Sequence, residues 1–287
     1  VSAPDVQRIE TTVRSGEKAL VWAPVEGSAL PVVVLVHGSH CTPAMYDGYA
    51  TGIAREGFLV VAPEQVRTVF GDTAHYPQQA FMNWGHDWAI AENDREGSPL
   101  FGRVDTDHVF ITGHSMGGGV SLGVASDFGQ MGLVDDDWSM PKELVAAVVN
   151  GTHNIPPPRT GDPLPVDNKV PIAFFSGSID SLVTLDQVSR TFAGVRGVKP
   201  YLQVVLEGGN HFFLNDEDSP PGARPDPNTM AIPQDVSVDS TARWTALWFK
   251  ANLGDEAALA ALESASAAGN AGASADEPHV KVSYITQ

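Results

Sequence analysis

The sequence predicts an α/β fold in which helices cover both faces of one open, mostly parallel sheet. Three observations predict it. Short runs of Val, Ile, Leu and Phe recur along the 287-residue chain without the polar alternation of a half-exposed sheet. Segments of helical character separate several of these runs. One run passes directly into a serine set among glycines, a strand-to-helix turn of the kind that lies at the carboxyl edge of such sheets.

The elements follow in order. Residues 18–22 (KALVW), 31–36 (PVVVLV), 57–62 (GFLVVA), 108–112 (HVFIT), 144–149 (LVAAVV), 171–175 (PIAFF) and 201–206 (YLQVVL) read as strands. The runs at 31, 57, 108, 171 and 201 are nearly continuous in large apolar residues, as in strands buried on both faces. Helical stretches at 43–56, 116–127 and 185–194 fall between strands and imply right-handed crossovers. Residues 70–102 are less regular and gather Tyr76, Phe81, Trp84, His86 and Trp88, which reads as a helix plus a loop near the site or as core. The Pro- and Asp-rich stretch 215–236 reads as a long loop. Residues 239–253 read as an amphipathic helix, with Asp239 or Ser240 as N-cap and Trp244, Leu247, Trp248 and Ala251 on one face. Residues 1–254 are expected to form one domain. Residues 255–287 are an acidic extension rich in Ala, Gly and Ser, expected to hold a short helix and then a flexible tail.

Composition narrows the function. Acidic residues number 35 against 17 basic ones, for a net charge of −18. Such a surface repels nucleic acid and anionic membranes, so neither is an expected partner. It also suits salty surroundings, where screening relieves self-repulsion; stability should then rise from low to molar salt. No stretch approaches the roughly 18 uninterrupted apolar residues of a membrane span. The single cysteine, Cys41, forbids an internal disulfide. Cysteine usage leaves the compartment open. The opening VSAPDVQRIE has the look of a chain trimmed of a leader, so a secreted or periplasmic protein is expected, with the cytoplasm as the alternative.

The chemistry centres on "VFITGHSMGGGVSL", residues 109–122. A strand that turns sharply into a helix forces its turn residue to positive φ. The residues two positions away then have no room for a Cβ, so Gly113 and Gly117 must be small. The serine hydroxyl of Ser115 is lifted above the sheet edge, and the N–H of Met116 points at the same spot from a helix N-terminus. Gly118, Gly119 and Gly123 would let that helix sit close to the sheet. A purely structural turn is the plain alternative. A phosphate-binding loop is not, because no Lys-Ser/Thr pair closes it.

A nucleophilic serine needs a base. Among nine histidines, His211 stands in "LEGGNHFFLND", directly after a strand run and behind two glycines. His75, His86, His108, His153 and His279 have no special setting. The base needs a carboxylate, and Asp180 in "FFSGSIDSLV" follows the preceding run. Asp186 is the reserve, though it falls inside a helix. The chain order Ser, Asp, His is the one this elbow chemistry uses. The turn at Gly38 in "LVHGSHCTP" offers the N–H of Ser39 as partner to that of Met116 in an oxyanion hole.

Together these motifs resemble the α/β-hydrolase superfamily over residues 15–253. The match rests on "VVVLVHGSHCTP", "GFLVVAPE", "VDTDHVFITGHSMGGGVSL", "FFSGSIDSLV" and "EGGNHFFLND". Within it the chain looks most like bacterial cutinases and polyester hydrolases, together with dienelactone-hydrolase-like and chlorophyllase-like esterases. The resemblance implies the α/β-hydrolase fold, a mostly parallel central sheet of about eight strands with helices on both faces. It implies Ser115, Asp180 and His211 as triad, Ser39 and Met116 as oxyanion donors, and esters as substrates. Polyester hydrolases usually carry an aromatic residue where Ser39 stands and a Trp where this chain has Thr152 and His153. Many also have a C-terminal disulfide, which one cysteine rules out. Substrate contacts are therefore expected from His40, His114, Thr152, His153 and Phe212, with Phe81, Trp84 and Trp88 as further candidates to line a cleft.

The expected function is a serine carboxylic-ester hydrolase with no cofactor and no metal, a monomer acting on small or polymeric esters. Other readings keep the triad and change the substrate to lipids, lactones, chlorophyll-type esters, amides or peptides, or to a cofactor-free haloperoxidase reaction. A non-catalytic binding protein of the same fold is the remaining class. Two acid clusters, Asp135-Asp136-Asp137 and Asp216-Glu217-Asp218, read as solvated loops before calcium ligands.

Overall fold

The computed structural model describes residues 4–134, 138–269 and 272–286. Asp135, Asp136 and Asp137 lie outside the described residues. The elements run β1 (Val6–Thr12), β2 (Lys18–Pro24), β3 (Leu30–Val36), α1 (Asp47–Arg55), β4 (Leu59–Pro63), β5 (Val66–Val69), β6 (Asp72–His75), α2 (Phe81–Asp94), β7 (Val104–His114), α3 (Met116–Ala125), β8 (Leu144–Asn150), β9 (Ile172–Gly177), α4 (Leu185–Ala193), β10 (Tyr201–Leu206), α5 (Gln234–Asn252), α6 (Glu256–Ala268) and β11 (Val280–Ile285).

Among the described residues the main sheet has nine strands, in the order β1-β2-β4-β3-β7-β8-β9-β10-β11. From β4 to β10 all neighbours are parallel. β1, β2 and β11 pair antiparallel at the two sides. This is the mostly parallel α/β-hydrolase sheet, with β5 and β6 forming a separate hairpin after β4.

The apolar runs are continuous because the sheet has two cores. Val32, Val34 and Val36 of β3 enter one cluster, with Phe81, Val120 and Val188 from α2, α3 and α4. Val33 and Leu35 enter the other, with Ile53 of α1, Trp248 of α5 and Leu262 of α6. Side chains alternate across a strand, so both alternating sets of β3 need apolar residues.

Two local expectations are corrected and a third is resolved. Residues 280–285 are not a flexible tail: all six pair with β10, and Val280 and Val282 are buried. α5 begins at Gln234, after Pro233, rather than beside Asp239 or Ser240. The extra turn is held from within and below. Thr241 Oγ1 donates to Ser237 O at 2.7 Å, and Ser237 Oγ to Phe213 O at 2.7 Å. Ser240, the expected cap, meets His279 Nε2 instead at 2.9 Å. Finally, 70–102 contains both the tip of the β5–β6 hairpin and α2, whose Phe81, Trp84 and Trp88 are buried in the core.

Candidate active site

Ser115 follows the last residue of β7 and caps α3, with φ 54° and ψ −117°. Positive φ is strained for a residue with a side chain, and the surroundings hold it. Ser115 N donates to Asn150 O at 2.8 Å, and the Asn150 side-chain amide donates to Gly113 O at 3.0 Å. A Cβ on Gly113 would stand 2.1 Å from Gly117 O, and one on Gly117 would stand 2.2 Å from Val36 O. Both positions therefore exclude any side chain.

His211 follows β10 and Asp180 follows β9, so the carboxyl ends of three parallel strands, β7, β9 and β10, bring their loops together here. His211 Nε2 lies 2.9 Å from Ser115 Oγ. His211 Nδ1 lies 2.8 Å from Asp180 Oδ2. The other oxygen of Asp180 accepts the backbone N–H groups of Leu182 (2.9 Å) and Val183 (2.8 Å), which fixes the carboxylate. Asp180 and His211 are both buried, at 4% exposure each. Desolvation strengthens their pairing, and a carboxylate at Nδ1 selects the tautomer that leaves Nε2 free to accept the serine proton.

The Gly38 turn lies against the nucleophile: a Cβ on Gly38 would stand 3.4 Å from Ser115 Cβ. Among the described residues the backbone N–H groups of Ser39 and Met116 have no acceptor. Two uncommitted amides beside a serine, one of them in the first turn of a helix, form a ready site for an oxyanion.

Residues 2–140 match a family model described as Chlorophyllase. That span carries the Ser39 loop and Ser115, and it ends before Asp180 and His211. The match supports an ester hydrolase of the α/β-hydrolase type. No curated protein matches the chain at a significant level.

Of the residues expected to meet substrate, two have no surface to offer. His114 is fully buried and Phe212 is 2% exposed. His114 Nε2 meets His211 O at 2.8 Å and Nδ1 meets Tyr46 OH at 2.9 Å. Phe212 packs edge-on against His211. Both support the base loop from beneath. Thr152 is buried as well, and its side chain packs against the first turn of α3, 3.0 Å from where a Cβ on Gly118 would stand. His153 is partly buried; burial, and next the charge of Arg159, lower its pKa to about 4. His40 sits beside the oxyanion loop at φ 61°, with Nε2 2.8 Å from Asp72 and 3.1 Å from Tyr76 OH. Asp186, the reserve acid, is exposed and faces Arg190 at 3.7 Å.

The second acid cluster is taken up by the fold. Asp216 accepts the N–H groups of Asp47 and Gly48 at 2.9 Å each, at the start of α1. Asp218 accepts from Asn210 and from the N–H of Met230. Among the described residues no group of three His, Cys, Asp or Glu is placed to hold a metal ion, and no helix is long and apolar enough to cross a membrane.

Sequence reasoning missed Tyr46, Asn150 and Asp226. Each reaches the site through a contact distant in sequence, such as the 68 positions between Tyr46 and His114. A lone Tyr or Asn in a strand or turn carries no local sign of such a contact.

Proposed function

We propose that the chain is a serine carboxylic-ester hydrolase acting through an acyl-enzyme. The observation that carries the proposal is the unbroken line from Asp180 through His211 to Ser115, at 2.8 and 2.9 Å. As the Ser115 hydroxyl attacks the ester carbonyl, its proton passes to His211 Nε2. The carbonyl oxygen becomes an oxyanion between the N–H groups of Ser39 and Met116. Asp180 stabilises the imidazolium, which then protonates the departing alcohol. Water, activated by the same imidazole, attacks the acyl-enzyme, and the acid leaves with Ser115 regenerated.

The test is a fluorophosphonate probe followed by peptide mass analysis. An adduct on Ser115, absent in Ser115→Ala, is the expected result. No adduct on the intact protein would overturn the reading. Substrate range is read from p-nitrophenyl esters of increasing chain length beside an insoluble polyester film. We propose soluble esters first. Ser39, Thr152 and His153 stand where the resemblance to polyester hydrolases would place a clamp of aromatic residues, and the aromatic residues that could replace it, Phe81, Trp84, Trp88 and Phe212, are buried, which argues against a cleft that grips a polymer.

A further inference from the structure

The 215–233 loop looks in the sequence like a solvated connection, yet it holds both remaining triad loops. Asp226 Oδ2 accepts the backbone N–H of His211 at 2.9 Å and that of Ser181 at 3.1 Å. Its Oδ1 accepts the Ser181 hydroxyl and the N–H of Asn228 at 2.9 Å. Ser181 is the neighbour of Asp180, so one carboxylate ties the residue beside the acid to the base itself. Asn228 extends the tie on the other side of Asp180, donating its side-chain amide to Ile179 O at 2.7 Å. Asn210, just before His211, donates to Asn228 O at 2.8 Å.

A carboxylate suits this task. It offers two oxygens and about four lone-pair sites, and here four donors use them; an amide has one such oxygen. Burial pushes the Asp226 carboxyl up, and the bonds from Ser181, Asn228 and His211 outweigh it, leaving its pKa below the usual carboxylate value. The group is therefore ionised where a serine hydrolase works.

We propose that Asp226 is a positioning residue that fixes the spacing of Asp180 and His211 relative to Ser115. The proposal rests on the hydrolase reading above. Asp226 touches no reacting atom. It acts through the backbone of the two loops, where a displacement of about 1 Å can cost on the order of 10²-fold in rate.

The experiment compares Asp226→Ala, Asp226→Asn, Asp226→Glu and Ser181→Ala with the parent chain. Ester turnover, the rate of fluorophosphonate labelling and the imidazole NMR signals of His211 are measured on each. Asp226→Ala should lower kcat roughly 10²-fold with KM within about threefold, and labelling should slow in parallel. Ser181→Ala, which removes one of the four donors, should fall between it and the parent. The His211 Nδ1 proton signal should shift or broaden in Asp226→Ala and Asp226→Asn. Asp226→Glu, which keeps the charge on a longer arm, should recover part of the rate. Should Asp226→Ala fail to fold, Ser181→Ala and Asp226→Asn still decide. Parent-like kcat and an unmoved His211 signal in the folded variants would overturn the proposal. So would losses of kcat that follow melting temperature alone. If the parent chain itself neither labels nor turns over, the hydrolase reading falls, and the His211 signal still reports whether Asp226 positions that ring.

Discussion

His114 Nε2 and the backbone oxygen of His211 lie 2.8 Å apart, and that contact fixes a proton. A carbonyl oxygen only accepts, so Nε2 carries the hydrogen. Burial, and next the charge of His211, hold the pKa of His114 well below the ordinary imidazole value, so the ring is neutral and Nδ1 bare. Nδ1 then accepts from the Tyr46 hydroxyl at 2.9 Å, and the Tyr46 oxygen accepts the Gly38 N–H at 2.9 Å. One chain of bonds thus runs from the oxyanion loop, under the nucleophile, to the base loop. His114→Phe takes the acceptor from the Tyr46 hydroxyl proton and the donor from the His211 carbonyl. It should cost roughly 2–6 kcal/mol by urea unfolding, at about 1–3 kcal/mol for each of the two orphaned groups. Tyr46→Phe also orphans two groups, the Gly38 N–H and His114 Nδ1, and should cost a similar amount. The double variant should fall short of the sum, because both act on one network. Additive costs would break the chain argued here.

Two buried histidines set the acid limit of stability. Burial, and to a smaller degree His75, lower His37 to about 4, against the pull of its bond to Gly38 O; His114 lies well below the ordinary value. Between the unfolded value of about 6.5 and the folded value, the unfolded chain binds protons that the folded chain does not. Stability is therefore fully present above about pH 6.5 and falls as the solution is acidified toward pH 4. His37 alone contributes on the order of 3 kcal/mol across that window. Urea midpoints measured from pH 7.5 down to 4.5 should fall steadily. The fall should be shallower in His37→Gln, which has no proton to gain. Equal slopes would remove His37 as the cause.

The elbow glycines differ in kind. Gly113→Ala and Gly117→Ala each drive a Cβ to within about 2 Å of a backbone oxygen, and backbone does not step aside. Either change should destabilise by more than about 3 kcal/mol or abolish soluble expression. Gly119 is also in α3, but a Cβ there first meets the end of the Gln130 side chain at 3.2 Å. Gly119→Ala should fold and stay within about 1 kcal/mol of the parent, the gain in helix propensity offsetting the contact. Equal damage at all three would mean that crowding is not what requires glycine in the elbow.

What the sequence discloses and what it hides divide along one line. β3 and β7 are legible because central strands need apolar residues on both faces. Ser115 is legible because its backbone strain demands glycines two places away. Asp180 and His211 could be named because each directly follows such a strand. β1 (VQRIETT), half exposed at the sheet edge, is polar at all but Val6 and Ile9 and gives no apolar run. β11 does alternate, in "VKVSYI", but it follows an Ala- and Gly-rich stretch that suggests a tail. His114 looked like a substrate contact because it sits beside Ser115, yet its bonds run to Tyr46 and His211. Asp226 drew no notice within the Pro- and Asp-rich loop because its partners lie 15 and 45 positions away.

Removing β11 should show that the extension belongs to the folded unit. Six residues of this strand pair with β10, the strand that leads to His211. Val280 is 0% and Val282 is 3% exposed. Burying two valines contributes roughly 3–6 kcal/mol. The strand also covers backbone groups that would otherwise be free to pair with another molecule. Its approach is anchored: Arg243 pairs with Glu277, and the N–H of Glu207 donates to His279 O at 2.7 Å. A chain ended at residue 279 should lose several kcal/mol in urea unfolding and scatter light on warming. Val282→Asp, which keeps the strand but puts a charge in its buried face, should lose a comparable share. If the shortened chain unfolds at the parent's urea concentration and stays clear, β11 contributes nothing to the sheet, and the domain ends before it.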